Sequence, residues 1–235
     1  GLAACPAEIR AAQRLRYQVF VEEMGARLDC PEPGIESDRY DPFCQHLIVH
    51  DRTDDRVVGC YRILTDSQAA RAGGYYSQNE FDISRILTLP GRFMEVGRTC
   101  VHPDYRSGAT IALLWQGLAR FMIMNRIDYL MGCASIPLTD GPGTAGAVWQ
   151  AVRAKHLSPP EWRVFPKTPL PPFPPSSAGV NPDLPALLKG YLRLGAQVCG
   201  DPAWDPVFNT ADLFLLLGID HISARYAQHF IRRSA

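Results

Sequence analysis

FMEVGRTCVHPDYRSGAT, residues 93 to 110, decides how the rest of the chain is read. Phe93, Val96, Cys100 and Val101 space their apolar groups as a buried strand does, and His102-Pro103-Asp104 supplies a turn. Arg106-Ser107-Gly108-Ala109-Thr110 then leads into IALLWQGLARFMIMNRI, which predicts a helix over about 109 to 126. Small residues at a helix start let backbone N–H groups approach a phosphate, and the helix dipole favours the negative charge. Residues three apart on a strand, such as Glu95 and Arg98, face opposite ways unless a bulge intervenes. On one face, Glu95 can take a proton from an ammonium, and Arg98 can pair with a carboxylate or orient Glu95. The alternative for the two is a structural ion pair.

Outward from this stretch, a first helix is expected from Pro6 to Glu23, with Ile9, Leu15, Val19 and Phe20 as its apolar stripe. A loop rich in Pro, Gly and Asp follows, from Cys30 to Asp41. Cys44 to His50 and Arg56 to Leu64 read as a hairpin around a polar turn at 51 to 55. A connecting segment then holds Gly73-Gly74 and the strand-like Phe81-Asp82-Ile83. Past the 109–126 helix come a strand from Tyr129 to Ala134 and a helix from about Thr144 to Lys155. Residues 158 to 185 are rich in proline and are read as an extended wrap rather than a linker, because too little chain follows for an independent domain. The tail, 186 to 235, predicts a helix at Leu184 to Leu194, a strand near 207 to 217 and a basic amphipathic helix near 220 to 233. The expectation is a single domain over 1–235 with the wrap and tail as elaborations.

Composition bounds the function. Among 235 residues, 46% are hydrophobic and 20% charged, enough for a sizeable core. Lys+Arg and Asp+Glu both number 24, so no basic surplus points to a nucleic-acid partner. Seven cysteines, none spaced C-x-x-C, suggest neither a disulfide framework nor a zinc site, and no metal is expected. No signal peptide or apolar run of bilayer length is visible, so a reducing cytoplasm is expected. Contact with the inner membrane, through the basic last helix, stays open.

The strand–loop–helix unit, with the order helix, hairpin, strand, loop-helix, strand, helix, resembles the GNAT acyltransferase superfamily. The resemblance implies an α/β fold, a mixed and mostly antiparallel sheet flanked by helices. It also implies a bulge in the strand at 93–101 and a carrier arm lying between two splayed central strands. A second set of residues extends it: Arg16 and Phe20 in RYQVF, then Asp38 and Asp41, Arg62, and Glu95 with Arg98. Acyl-homoserine lactone synthases carry R-x-x-V-F, D-x-x-D, a strand arginine and E-x-x-R in that order. Their tryptophan shortly after R-x-x-V-F has no counterpart in Glu22 to Leu28. The widest resemblance takes in RYQVFVEEMGA, GCYRIL, GGYYSQNEFDI, EVGRTCVHPDYRSGATIALLWQGLA, YLMGCAS, LLKGYLRLGAQVCGDPAWDPVFNTADLF and HISARYAQHF, and is to the ornithine N-acyltransferases of ornithine-lipid synthesis.

That resemblance implies transfer of a 3-hydroxyacyl group from acyl carrier protein to the α-amine of L-ornithine, giving lyso-ornithine lipid. It implies Glu95 and Arg98 as catalytic residues. Val101, Arg106, Ser107, Gly108, Ala109 and Thr110 would hold the phosphopantetheine arm, a co-substrate rather than a resident cofactor. Arg16, Phe20, Asp38, Asp41 and Arg62 would bind substrate. The distal ammonium of ornithine calls for a carboxylate among Asp38, Asp41, Asp205 and Asp212, although Asp205 and Asp212 also read as turn and cap residues. An acidic carrier calls for basic residues near the loop, from Arg106, Arg120, Arg126, Arg153 and Lys155. Phe20, Leu113, Leu114, Trp115 and Phe121 line an acyl trough or belong to the core. His102 reads as a local cap and Cys100 as packing. The alternatives are a lactone synthase, an acyltransferase for another amino acid such as glycine, and a non-catalytic acyl-carrier or lipid-binding regulator.

Overall fold

The computed structural model describes residues 1–139, 141–171 and 182–221. In chain order the elements are α1 (Pro6–Arg16), a π-helical continuation (Tyr17–Glu23), β1 (Gln45–Asp51), β2 (Arg56–Thr65), α2 (Asp66–Ala72), β3 (Phe81–Asp82), β4 (Phe93–Val101) and α3 (Ala109–Asn125). There follow β5 (Tyr129–Pro137), α4 (Pro142–His156), β6 (Phe165–Pro166), α5 (Ala186–Leu194), β7 (Gln197–Val198), β8 (Ala203–Asp205) and β9 (Thr210–Gly218). Helices flank strands that pair antiparallel, which is the expected fold class. The chain divides into two compact units, Gly1–Gly74 with Arg92–Ile127, and Tyr75–Gly91 with the described residues from Asp128 on.

In the first unit β2 pairs antiparallel with β1 and with β4, while α1 and α3 pack on the strands. Strand alternation sorts β2 between two faces. Gly59 and Tyr61 face α3: a Cβ on Gly59 would meet Thr110 Cγ2 at 2.6 Å, and Trp115 donates its indole N–H to the Tyr61 hydroxyl at 3.2 Å. Arg62 turns the other way, toward the loop after α1. Pro6 begins α1, where its missing N–H costs nothing. This helix buries Gln13 and Arg16 along with Ala12 and Leu15, so its inner face is part polar.

In the second unit β5 and β9 pair from Tyr129↔Gly218 to Pro137↔Thr210. All of β9, TADLFLLLG, is buried, including Thr210 and Asp212, and from Leu213 to Leu217 it is continuously apolar. The short strands β7 and β8 both pair with β9, and β3 pairs with β6. Phe81 of β3 meets Phe214 of β9 edge-on, with ring centroids 5.9 Å apart.

Several boundaries differ from expectation. Asp66–Ala72 is a helix rather than a connector; it buries only Ala69 and so shows no apolar stripe to the eye. The first helix reaches Glu23 as expected but widens at Tyr17, where Met24 N–H bonds to the Val19 carbonyl at 3.0 Å. Strand β5 runs on to Pro137 because β9 offers partners that far. Residues 172–181 of the proline-rich stretch and the helix expected near 220 to 233 lie outside the described residues, apart from a short turn at Ile219–His221. Earlier in that stretch the chain is extended: β6 pairs with β3, and Pro169 bridges to Ala203.

Candidate active site

Strand β4 carries the bulge. Arg62 pairs with Gly97 and Cys60 with Cys100, so β4 has one extra residue across from Tyr61. Arg98, at this point, has φ 51°, a left-handed backbone rare for a side chain of its size. Its guanidinium thereby joins the face that Arg62 presents, where Nε donates to Glu36 Oε1 at 3.0 Å and Nη2 to Asp38 Oδ2 at 3.2 Å. Glu95 is 4% exposed and pairs across the ladder with Leu64, two residues from Arg62, which puts it on the same face. Cys44 borders this group; burial, with Asp41, Asp38 and Glu95 nearby, pushes its thiol up to about 12 against the opposing pull of Arg62.

The charges around Arg98 close on themselves. Arg16 donates from Nε to Glu36 and bidentately to Asp41, at 2.6 and 2.9 Å. Arg62 Nη1 donates to Asp38 at 2.6 Å and to Asp41 at 3.0 Å. The order is Arg16, Glu36, Arg98, Asp38, Arg62, Asp41 and back to Arg16, three cations alternating with three anions. Burial alone would raise the Asp41 pKa, but the bonds and charge of Arg16, and the charge of Arg62, hold it well below the usual carboxylate range. Burial alone would likewise lower Arg16, and the bonds to Asp41 with the charges of Glu36 and Asp41 raise it instead. Gln13 Nε2 and the Asp38 N–H also donate to Asp41. His46, across the ladder from Arg62, lies 3.7 Å from Asp41, and burial lowers its pKa, so it stays neutral at pH 7.

Arg16, Asp38, Asp41, Arg62, Glu95 and Arg98 are thus brought together. Arg16 is fully enclosed, and its guanidinium is spent on Glu36 and Asp41. Phe20 is buried in the π-helical segment. Val101 ends β4, and its carbonyl accepts from Arg106 Nε at 3.1 Å. Arg106 is clasped by Glu23 through two bonds of 2.6 and 2.7 Å. Ser107, Gly108 and Ala109 are exposed, while Thr110 is buried against Gly59. Gly108 caps α3 at φ 100°, offers no side chain to its free N–H groups, and would place a Cβ in open space. That is room for an anion, bounded by the first turn of α3.

His102 accepts from the Asp104 N–H at 3.3 Å, as a local cap does. Cys100 faces Cys60 with sulfurs 3.4 Å apart, both buried as thiols. Leu114 and Phe121 belong to the core, and Leu113 is exposed. Glu36, Gln13 and His46 were not anticipated. Charge balance hid Glu36: three arginines against Asp38, Asp41 and Glu95 already count as neutral.

A second acidic group lies in the other unit. Ligand atoms of Glu80, Cys133 and Asp212 lie within 4.8 Å of one another, close enough to share a cation. Asp205, nearby in charge, is a turn cap, accepting from Val207 and Phe208 N–H at 2.7 and 3.1 Å. Asp212 accepts from the Thr210 hydroxyl at 2.8 Å. Burial pushes Glu80 up to about 9, with Asp212 and Asp205 adding to it, and burial also raises Asp212.

The model of the acetyltransferase (GNAT) domain matches residues 15–116, a span holding the whole charge circuit, Glu95 and Gly108. The chain is 40% identical over 251 aligned positions to the L-ornithine N(alpha)-acyltransferase of Rhizobium meliloti (strain 1021), covering 97% of this chain and 82% of that protein. This chain belongs to the L-ornithine N(alpha)-acyltransferase family. The family member of Brucella abortus (strain 2308) is 38% identical, with 97% and 87% covered. Among solved structures, the CoA-dependent acyl-homoserine lactone synthase BjaI superposes with TM-score 0.59 at 17% identity, covering 97% of this chain and 82% of that one, a likeness of fold. The family assignment makes the chain a GNAT-fold acyltransferase. Among the described residues no helix is long and apolar enough to cross a membrane.

Proposed function

We propose that this chain moves a 3-hydroxyacyl group from the phosphopantetheine thiol of acyl carrier protein to the α-amine of L-ornithine, giving lyso-ornithine lipid. The observation that carries the reading is identity of 40% across nearly the whole chain to an enzyme named for acylating that nitrogen. In this reading Glu95 takes a proton from the α-ammonium, directly or through water. The freed amine attacks the thioester carbonyl carbon. The N–C bond forms, the C–S bond breaks, and the sulfur leaves as the carrier's thiol with a proton. In this reading the strand after Arg98 supplies the stabilisation of the oxyanion, and the charge circuit holds the bulge at Arg98 in place. Arg16 and Asp41 then act at a distance, as members of the circuit. The carrier phosphate sits over Gly108 at the α3 N-terminus. The pantetheine arm arrives and leaves with the donor, so no resident cofactor is needed. The enzyme works from the cytoplasm and hands its product to the inner membrane.

The test is mass spectrometry after mixing the protein with 3-hydroxypalmitoyl acyl carrier protein and a panel of free amino acids, with and without S-adenosylmethionine. The expected product is ornithine monoacylated on the α-nitrogen, with release of free carrier. Acylation of glycine alone would replace the acceptor. A lactone from S-adenosylmethionine would move the chain to the lactone synthases. Carrier binding without turnover would make it a regulator.

A further inference from the structure

Among the described residues, helix α3 leaves one side without a partner. Leu114, Leu118, Phe121 and Met122 are buried against the strands, while Leu113 is 53%, Ile123 43% and Met124 69% exposed. With Ala109 and Arg120, also exposed, these residues recur at helical spacing and make a stripe along the outer side. Isolated exposed apolar residues are ordinary, whereas three large ones on one helix face form a patch. Arg120 is the one charged residue within Ala109–Asn125, and Arg126 follows it. Neither forms an ion pair among the described residues, whereas Arg106 is neutralised by Glu23. The stripe is therefore apolar with positive charge alone, and it starts beside Gly108.

We infer that this stripe is the docking surface for the protein body of the acyl donor, an acidic carrier. The inference rests on the carrier-dependent reading above. A pantetheine phosphate is bonded to the carrier's own surface, so a phosphate held at Gly108 brings that surface against the first turns of α3. From Leu113 to Met124 the helix rises roughly 16 Å, the length of a helix-on-helix contact. Exposed apolar anchors with an arginine among them are the residues that carry such interfaces, and the arginine also speeds capture of an acidic partner. An anionic bilayer has similar chemistry, but two arginines supply only about 2 kcal/mol of attraction to it.

The experiment compares full-length wild type with Leu113→Glu, Arg120→Glu and Met124→Glu. Affinity for holo acyl carrier protein is measured by calorimetry, and transfer to ornithine is followed from the acyl-carrier and from the same acyl group on CoA. Circular dichroism and thermal unfolding check the fold. The expected result is a tenfold or greater loss of carrier affinity, a matching rise in KM for the acyl-carrier, and a folded protein whose kcat is retained. Any turnover of acyl-CoA is then unaltered. Carrier affinity unchanged in all three variants overturns the assignment. So does sedimentation with phosphatidylcholine–phosphatidylglycerol vesicles that the variants lose while carrier binding stays intact. Where Leu113→Glu fails to fold, Arg120→Glu, at an exposed position, decides. A wild type that binds carrier but transfers no acyl group counts against the enzymatic reading and leaves the docking result standing.

Discussion

Two buried acidic clusters in this protein hold their protons in opposite ways. In one, Asp41 sits between Arg16 and Arg62 and stays charged far below the ordinary carboxylate range. In the other, Glu80 lies beside Asp212 and Asp205, with no ion-pair partner among the described residues, and keeps a proton up to about 9. Burial raises every carboxyl; the sign of the outcome depends on whether a cation answers it. Arginine is suited to that task because it cannot give up its own proton. The first cluster is a fixed scaffold of charges, whereas the second keeps its carboxyls protonated for want of a cation.

The largest effect should come from taking one cation out of the circuit. Arg16→Met leaves Glu36 and Asp41 buried with one partner fewer, and the expected loss is about 3–5 kcal/mol in urea unfolding. A loss below about 1 kcal/mol would mean the circuit adds nothing as a unit. Next is the pH profile of Glu80→Gln. The Glu80 carboxyl is raised from 4.5 to about 9, so its contribution to stability is whole below 4.5 and drains away as pH rises toward 9. Glutamine cannot titrate, so the variant should gain on wild type across that window, on the order of 1 kcal/mol per pH unit. Parallel profiles would contradict this.

Asp41 should slope the other way. Its pKa is lowered from 3.8, so its contribution is whole above 3.8 and is lost as pH falls further. Urea midpoints from pH 5 to pH 2 should show a steep decline that Asp41→Asn lacks. The smallest effect is expected outside both clusters. Arg106 and Glu23 form a bidentate pair, but both are about two-fifths exposed. Arg106→Ala should change stability by less than about 1 kcal/mol, and a larger change would show that exposure discounts this pair too little.

The first cluster was legible in the sequence in all but one member, and the second hardly at all. Arg16, Asp38, Asp41, Arg62, Glu95 and Arg98 stand in motifs with local spacing. The strand, turn and glycine around them follow from apolar alternation and turn chemistry. Glu36 was missed because Asp29, Glu32 and Glu36 share one loop and only packing selects among them. The bulge was expected from the resemblance, but its placing at Arg98 is a matter of register, which no single strand reveals. Glu80, Cys133 and Asp212 come from three separate segments joined by strand pairing far along the chain. Asp212 alone had been singled out there, and as a turn or ligand residue rather than as half of a carboxyl pair. Helix α2 escaped because Asp-Ser-Gln-Ala-Ala-Arg-Ala lacks an apolar stripe and forms only against its neighbours.

The central claim is that Glu95, on the face to which the bulge also turns Arg98, deprotonates the attacking amine. Its most direct test is release of free carrier from 3-hydroxypalmitoyl acyl carrier protein and L-ornithine by wild type and Glu95→Gln, with circular dichroism and unfolding midpoint on the same samples. The account predicts a folded variant whose turnover falls by on the order of a hundredfold or more. A folded Glu95→Gln protein turning over within twofold of wild type would contradict it.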